Sequence, residues 1–236
     1  MQCIALLLAV ITPGCFAAGG TSPATFLPGP KGLAARVRIP AHLPEGTFYI
    51  FCSGVATRFG WLKSTSCFHS NAGNQAAAEA VVRPVLNASR RARLSPARRD
   101  GNIKTVWFDY TVAVDKHGDA SHVKVFANHM LSFAKFGMHY TGPQRLLEYA
   151  SSRNPTCSLR LLVMVRGEID TNGVGHDFSI AMSHRHETVA CLRSMIRTLK
   201  MNTYIPATAN GQPVAAPYEE VFYTRTSSAQ FGHQRW

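Results

Sequence analysis

A short pattern occurs twice in this sequence, and its two copies start 110 residues apart. Residues 96–101 have the sequence PARRDG and residues 206–211 have the sequence PATANG, so both copies fit P-A-x-x-[DN]-G. At the same offset, residues 80–86 align without a gap with residues 190–196, and all positions except Pro84 keep their apolar or basic character. Repetition of a motif together with the helix and strand signals around it favours an internal duplication. We therefore predict two related modules.

The first copy lies among strand and helix signals. Residues 47–56 are rich in β-forming side chains, and residues 63–69 can supply the hairpin partner. The Ala-rich amphipathic stretch 76–89 predicts a helix that Pro84 should kink. Alternating large apolar residues in 106–114 then predict a half-buried strand. The predicted order is β-β-α-β.

The second copy has the same order of signals. Residues 159–165 predict a strand, and alternating Phe178, Ile180 and Met182 predict its partner. A helix is expected from residue 186 or 187 to residue 199, followed by a closing strand at 214–223. The expected buried face of that helix consists of Leu192, Met195, Ile196 and Leu199. The predicted fold class is α+β, with two β-β-α-β modules, each a small antiparallel sheet covered by one helix.

The segments outside the modules complete the expected organisation. An uncharged apolar run followed by small residues predicts a secretory signal peptide, and a lipid on Cys15 is the alternative. A short helix is expected from Gln144 in the connection between the modules. The predicted divisions are 1–17 signal peptide, 18–46 extended leader, 47–114 first module, 115–156 connecting hairpin and short helix, 157–225 second module and 226–236 tail.

The cysteines fit an exported chain. Removal of the signal peptide leaves four of the six, and an even number in an oxidising compartment favours disulfides. Three pairings are possible. If each module keeps its bridge local, Cys52 pairs with Cys67 and Cys157 pairs with Cys191, which is the pairing that we expect.

The second motif and its surroundings carry a family resemblance. In residues 204–214, YIPATANGQPV, an aromatic and apolar pair is followed by Pro-Ala-x-x-x-Gly-x-x-Val and a closing strand, after a predicted helix. This arrangement resembles the carboxy-terminal domain of TonB and its relatives over residues 159–224, and less closely over residues 48–114. The resemblance implies a periplasmic module that docks on outer-membrane receptors by lending a sheet edge. In the motif, Pro fixes φ and Gly permits the positive φ of a tight turn, so we expect it to mark the fold and not a reaction.

Candidate catalytic groups are few. His186 and Glu187 begin like a zinc-protease helix, but Ala190 occupies the position of the second ligand, which excludes that class. A metal-binding protein or envelope hydrolase that uses His176, His184 and His186 is the alternative function. We expect no cofactor, and an enzyme is the less favoured hypothesis.

Charge is the remaining signal. The chain has 25 Lys and Arg against 13 Asp and Glu, a formal net charge of +12. Five arginines lie within ten residues: Arg90, Arg91, Arg93, Arg98 and Arg99. Such a run can bind an anionic partner, although cations at a helix carboxy terminus are also stabilised by the helix dipole. An exported chain without stacking aromatics in this run is not expected to bind nucleic acid.

These observations together predict a periplasmic binding protein without a transmembrane helix in its mature form. Its partner would be an envelope protein bound by strand addition, or an anionic envelope component. The candidate edge is the closing strand, represented by Val214 and Tyr218, because Pro213 and Pro217 are disfavoured in a central strand.

Overall fold

The computed structural model describes residues 20–69, 75–129, 133–137, 139–147, 160–184 and 189–225. Within these ranges the fold is mixed and strand-rich, and its sheets are small and antiparallel. No helix in the described ranges is long and apolar enough to cross a membrane. The predicted signal peptide (1–17) and tail (226–236) lie outside them.

The described part of the first half contains eight strands, one helix and two 3-10 turns, at Gly29–Lys31 and Ala34–Arg36. The regular elements are β1 (Thr25–Phe26), β2 (Gly46–Ala56), β3 (Leu62–His69), α1 (Gln75–Ser89), β4 (Leu94–Ser95), β5 (Ala97–Arg99), β6 (Asn102–Lys104), β7 (Val106–His117) and β8 (Ala120–Phe126).

The described part of the second half contains eight further strands and two helices. They are α2 (Phe133–Phe136), β9 (Tyr140–Thr141), β10 (Gln144–Arg145), β11 (Arg160–Ile169), β12 (Gly175–His184), α3 (Val189–Met201), β13 (Tyr204–Ile205), β14 (Ala207–Ala209), β15 (Gln212–Val214) and β16 (Ala216–Arg225).

Two sheets organise the fold. The strand order is β3-β2-β7-β8 in one and β12-β11-β16 in the other. In both, a hairpin is followed by a helix, and a later strand returns to lie beside the first strand of the hairpin. The first sheet has β8 as an additional strand along part of β7, from Thr111 to His117.

Alternation along the strands builds the first core. Alternate residues of β2 and β7, such as Ile50 and Phe108, are buried together with Val81 and Val85 of α1. Pro84 lies inside α1, as the sequence implies. Ile205 from the second half of the chain is buried in the same cluster, so the two halves pack against each other.

A second core lies between α3 and the sheet of β11, β12 and β16. Met195 and Leu199 are fully buried, one helical turn apart, and pack with Val163 and Val165. Of the four residues expected on this face, Leu192 and Ile196 are only half-buried. The helix begins at Val189 in the described residues, and residues 185–188 lie outside them.

One predicted disulfide is present and the other falls partly outside the described residues. Cys52 of β2 and Cys67 of β3 lie directly opposite each other and are bonded. Cys191 is also disulfide-bonded. Its expected partner, Cys157, is not among the described residues.

The segment expected to be an extended leader packs against the first sheet. Its β1 pairs with β4, and Ala24, Leu33 and Leu43 are buried in the first core. Burial of these apolar side chains away from water stabilises the packed segment. A Pro-rich sequence with little periodicity gives no local sign of this packing. This segment is therefore part of the folded unit and not a linker.

The prediction of a short helix from Gln144 is wrong for its first residues, which form a strand. Gln144 lies in β10, which pairs with β13. Its side-chain amide accepts a hydrogen bond from the Ala24 N–H and donates one to the Ala24 carbonyl, both at 2.8 Å. These buried backbone groups are 120 residues away in sequence, and satisfying them favours the strand over a local helix.

The repeated motif forms the same tight hairpin in both places. Residues 100 and 101 join β5 to β6, and residues 210 and 211 join β14 to β15. All four have positive φ, between 49° and 78°. A two-residue loop with positive φ at both positions is a type I′ turn, for which Asp-Gly and Asn-Gly are preferred.

Gly60 is required by a close backbone approach. Its φ is +72°, and a Cβ at this position would lie 2.4 Å from the Leu94 carbonyl oxygen. Gly211 has a similar φ of +78°, but a Cβ there would meet nothing within 4 Å. We expect Gly211→Ala to lower the free energy of unfolding by about 1–2 kcal/mol, because a residue with a Cβ is strained at this φ. Gly60→Ala should lower the free energy of unfolding by about 1–3 kcal/mol more than Gly211→Ala, because the added methyl group overpacks the site.

Urea unfolding of both variants measures this difference. Equal losses of unfolding free energy would contradict the proposed contact between residue 60 and Leu94.

Candidate functional site

A basic groove on the first half of the molecule is the most distinctive surface among the described residues. It has a volume of about 660 Å³. Three segments form it: the leader, the turn between β2 and β3, and the stretch after α1. The lining residues are Leu27, Lys31, Arg36, Phe59, Gly60, Trp61, Arg90, Arg91, Arg93 and Leu94.

Backbone hydrogen bonds hold these three segments together. The Arg93 N–H donates to the Lys31 carbonyl at 3.0 Å, and the Leu27 N–H donates to the Arg93 carbonyl at 2.9 Å. The next residue, Leu94, donates its N–H to the Gly60 carbonyl at 3.0 Å. The groove is therefore fixed by main-chain geometry and does not depend on mobile side chains for its shape.

Two aromatic residues stand at the rim of the groove. Phe59 exposes 68% and Trp61 exposes 38% of its surface. The guanidinium of Arg93 lies 3.2 Å from the centre of the Trp61 ring, and that of Arg58 lies 4.8 Å from the Phe59 ring. Both contacts have cation–π geometry. They place positive charge directly beside exposed apolar surface.

The charge of the groove has one sign. Five of its lining residues are Lys or Arg, and none is Asp or Glu. The Nε atom of Arg36 is buried and has no hydrogen-bond partner among the described residues. A groove lined by cations and by no carboxylate favours an anionic ligand.

The arginine run does not form one surface. Arg90, Arg91 and Arg93 line the groove, whereas Arg98 donates to the Gly101 carbonyl of its own turn at 3.1 Å. Arg99 donates to the Tyr204 carbonyl at 2.8 Å and so connects the two halves of the chain. Only the first three of the five predicted arginines are therefore candidates for this groove.

The predicted closing strand is divided into two. Val214 is the last residue of β15, in a hairpin with β14, whereas Tyr218 lies in β16. The Tyr218 side chain is buried with Phe178 and Tyr204, so it is part of the core. Strand alternation turns the Tyr218 side chain towards the helix, and partner binding at the predicted edge stays a prediction.

β16 is nevertheless an edge strand among the described residues, since it pairs only with β11. Its register with β11 is unbroken, and Pro217 lies opposite Glu168. Proline on an edge strand has its nitrogen facing away from the ladder, because it has no N–H to donate. Alternate positions share this orientation, so the backbone of Glu219 and Val221 faces outward from the sheet.

A buried ion pair lies where β10 meets β16. Arg145 donates from Nε and Nη2 to the two carboxylate oxygens of Glu220, at 2.8 and 2.6 Å. The Tyr218 hydroxyl donates to the same carboxylate at 2.6 Å. Burial, the largest single effect, lowers the pKa of the Arg145 guanidinium, but Glu220 and Tyr218 together outweigh burial and raise this pKa above its usual value. The Arg145–Glu220 pair is thus a buried structural contact held by two parallel hydrogen bonds.

Asp109 of β7 is a second buried carboxylate. Burial raises its pKa, and His129, 3.8 Å away, only partly offsets this effect. His129 also lies 3.3 Å from the Cys52 carbonyl. Sequence reasoning did not single out Asp109, because it occupies a polar position of an alternating strand and looks solvent-facing.

Two of the three histidines of the alternative hypothesis, His176 and His184, lie in the described residues, and their backbone positions are far apart. His176 and His184 lie at opposite ends of β12, eight residues apart. This separation corresponds to about 26 Å along a strand. His176 instead lies 3.1 Å from the Asp170 carboxylate, in an exposed turn. His186 lies outside the described residues. No group of three His, Cys, Asp or Glu side chains in the described ranges is placed to hold a metal ion.

No protein-family model, no curated protein and no solved structure matches this chain.

Proposed function

We propose that this chain is an exported binding protein whose partner, an envelope protein, adds a strand to the outer edge of β16. One observation carries the proposal: among the described residues, β16 is an edge at the position where the corresponding strand of the first sheet, β7, has a neighbour. Strand addition uses the outward N–H and C=O groups of such an edge for affinity and alternate side chains for selectivity.

An internal duplication supports this correspondence, and we propose that the two halves are copies of one TonB-C-like β-β-α-β module. β4, β5 and β6 lie 110 residues before β13, β14 and β15, with identical bounds at that offset. Gly60 contacts the Leu94 carbonyl, and Gly173 has the same relation to the carbonyl of Tyr204. Two unrelated units would not be expected to share both features.

The register of the first sheet supports a specific place for the added strand. In β7, pairing with β8 begins at Thr111, which lies opposite Phe126. The residue 110 positions later is Val221, which exposes 42% of its surface. By analogy with β8 in the first sheet, the added strand of the partner would therefore lie along the edge of β16 from Val221 onward.

Export is supported by the apolar amino-terminal run and by the Cys52–Cys67 disulfide. Structural disulfides persist in oxidising compartments and are rare where thiols are kept reduced. A periplasmic location with an envelope partner follows from these two features as part of the proposal.

Val221→Pro tests strand addition. Proline removes an N–H that faces outward, so we expect the β11 ladder to remain and binding of the envelope partner to fall at least tenfold. Val221→Ala removes the side chain but keeps the N–H, and it is expected to bind within about threefold of the wild type. A partner is first isolated from envelope extracts with the mature chain, and titration then gives the affinities.

Two measurements keep this test decisive. Hydrogen exchange should show new protection of residues 219–223 when the partner is bound, because their outward N–H groups become paired. Circular dichroism and thermal unfolding should show that Val221→Pro is folded. Equal affinities for the proline and alanine variants, or an unchanged exchange rate at this edge, would exclude strand addition to β16.

A further inference from the structure

We propose that the basic groove of the first half docks this protein onto an anionic membrane surface, with phosphate headgroups in the groove and Phe59 and Trp61 at the lipid interface. This surface involves other residues than the edge of β16, so the inference does not depend on strand addition. Its three components are a cluster of cations, two exposed aromatics and a preformed shape.

The cations favour phosphate over a carboxylate-bearing solute of low charge. Lys31, Arg36, Arg90, Arg91 and Arg93 line one groove, and no ion pair with a carboxylate is formed by any of them in the described ranges. Guanidinium groups bind phosphate oxygens through two parallel hydrogen bonds. Several such groups around one groove match several adjacent headgroups on a surface.

The aromatic residues favour a membrane over a dissolved phosphate. Phe59 is exposed at the tip of the turn between β2 and β3 and makes its cation–π contact with an exposed arginine. Aromatic side chains are enriched where a bilayer meets water, because their rings enter the headgroup region. A dissolved phosphate would gain nothing from two exposed rings beside its site, whereas a lipid surface would bury them.

The second half of the molecule provides an internal comparison. The turn between β11 and β12 has Asn172 and Val174 in place of Phe59 and Trp61, at corresponding positions around Gly173. Thr203 stands 110 positions after Arg93. The close backbone approach of Gly173 to Tyr204 is therefore made without aromatic residues at the positions of Phe59 and Trp61 and without an arginine at the position of Arg93, so these three side chains are not needed for the turn.

Co-sedimentation with vesicles tests the proposal. The full mature chain is mixed with vesicles of phosphatidylcholine containing phosphatidylglycerol, and with vesicles of phosphatidylcholine alone. We expect binding to the anionic vesicles that weakens as salt rises above 0.1 M, where the screening length is about 10 Å. Arg90→Gln/Arg91→Gln should reduce the partition coefficient about 30-fold, since each cation near an anionic surface contributes about fivefold.

A matched control separates the groove from net charge. Arg193 and Arg197 are exposed on α3, outside the groove, and Arg193→Gln/Arg197→Gln removes the same two charges. This control is expected to change the partition coefficient by less than about threefold, because neither arginine lines the groove. Phe59→Ser should reduce binding about tenfold without changing the net charge.

Three results would overturn the proposal. They are equal binding to neutral and anionic vesicles, an equal loss in the α3 control, and binding of inorganic pyrophosphate in the groove without any binding to vesicles. The last result would make the groove a site for a soluble phosphate. Loss of vesicle binding would leave the affinity for a strand-adding partner unchanged, so the two proposals fail separately.

Discussion

Replacing Arg145 by Met is expected to lower the free energy of unfolding by about 3–5 kcal/mol, because Glu220 would remain buried without its counterion. The two side chains expose only 12% and 5% of their surfaces. Glu220→Leu should have a comparable effect, since it leaves the guanidinium of Arg145 buried and unpaired. Urea unfolding of the two single variants measures these losses.

The double variant Arg145→Met/Glu220→Leu should recover most of the loss. Replacing both members of a buried ion pair by apolar residues of similar volume is often neutral or stabilising by about 1–4 kcal/mol. The first half of the chain has aromatic residues at the corresponding positions. Phe26 pairs with Leu94 as Arg145 pairs with Tyr204, so Phe26 corresponds to Arg145. The Phe26 ring lies 5.1 Å from the ring of Tyr110. Tyr110 is the residue 110 positions before Glu220.

A neighbouring ion pair provides the control. Arg166 of β11 donates to Glu219 of β16, but the arginine side chain is 56% exposed. Arg166→Met is expected to change the unfolding free energy by less than about 1 kcal/mol. Additive losses in the double variant, or an Arg145→Met loss as small as that of Arg166→Met, would contradict the role assigned to the buried pair.

Leu199→Ala is expected to lower the unfolding free energy by about 2–5 kcal/mol. Leu199 is fully buried beneath the sheet, and its carbonyl accepts a hydrogen bond from the Tyr204 hydroxyl at 2.9 Å. Truncation removes apolar contacts and leaves a cavity that the surrounding side chains can only partly fill. Chemical denaturation at fixed pH gives the loss.

Leu192→Ala on the same helix is the matched substitution. Leu192 is half-buried, so water can occupy part of the space that truncation opens, and the expected loss is less than half that of Leu199→Ala. If both variants lose the same free energy, the packing face of α3 is not the one formed by Cys191, Met195 and Leu199.

Local signals account for the elements that sequence reasoning predicted. Alternating residues placed β2 and β7 within one or a few residues of their observed bounds. The Asp-Gly and Asn-Gly pairs fixed the two tight turns, since positive φ is a property of the residue itself. A hairpin of residues 47–56 and 63–69, which the sequence predicts, can bring Cys52 and Cys67 opposite each other, and in the structure they are paired and bonded.

Long-range contacts account for what sequence reasoning missed. Gln144 lies in a strand because its amide satisfies backbone groups of Ala24, and neither residue carries a local sign of the other. The sequence predicts Val214 and Tyr218 in one strand, but Ala215 separates β15 from β16, and strand alternation buries the Tyr218 side chain. Lys31 and Arg36 were not singled out beside the arginine run, because only the packed leader brings them to it.

The sequence by itself determined the repeated motif, the order of strands and helix around it, the local disulfide and the excess of positive charge. Each of these depends on residues close together in the chain or on composition alone. The tertiary structure decided which arginines share a groove with Phe59 and Trp61, that Arg145 and Glu220 form a buried pair, and that β16 is an edge within the part of the chain that the structure describes. These features arise from contacts between residues far apart in sequence, whose geometry is fixed only when backbone hydrogen bonds and apolar burial have assembled the sheets.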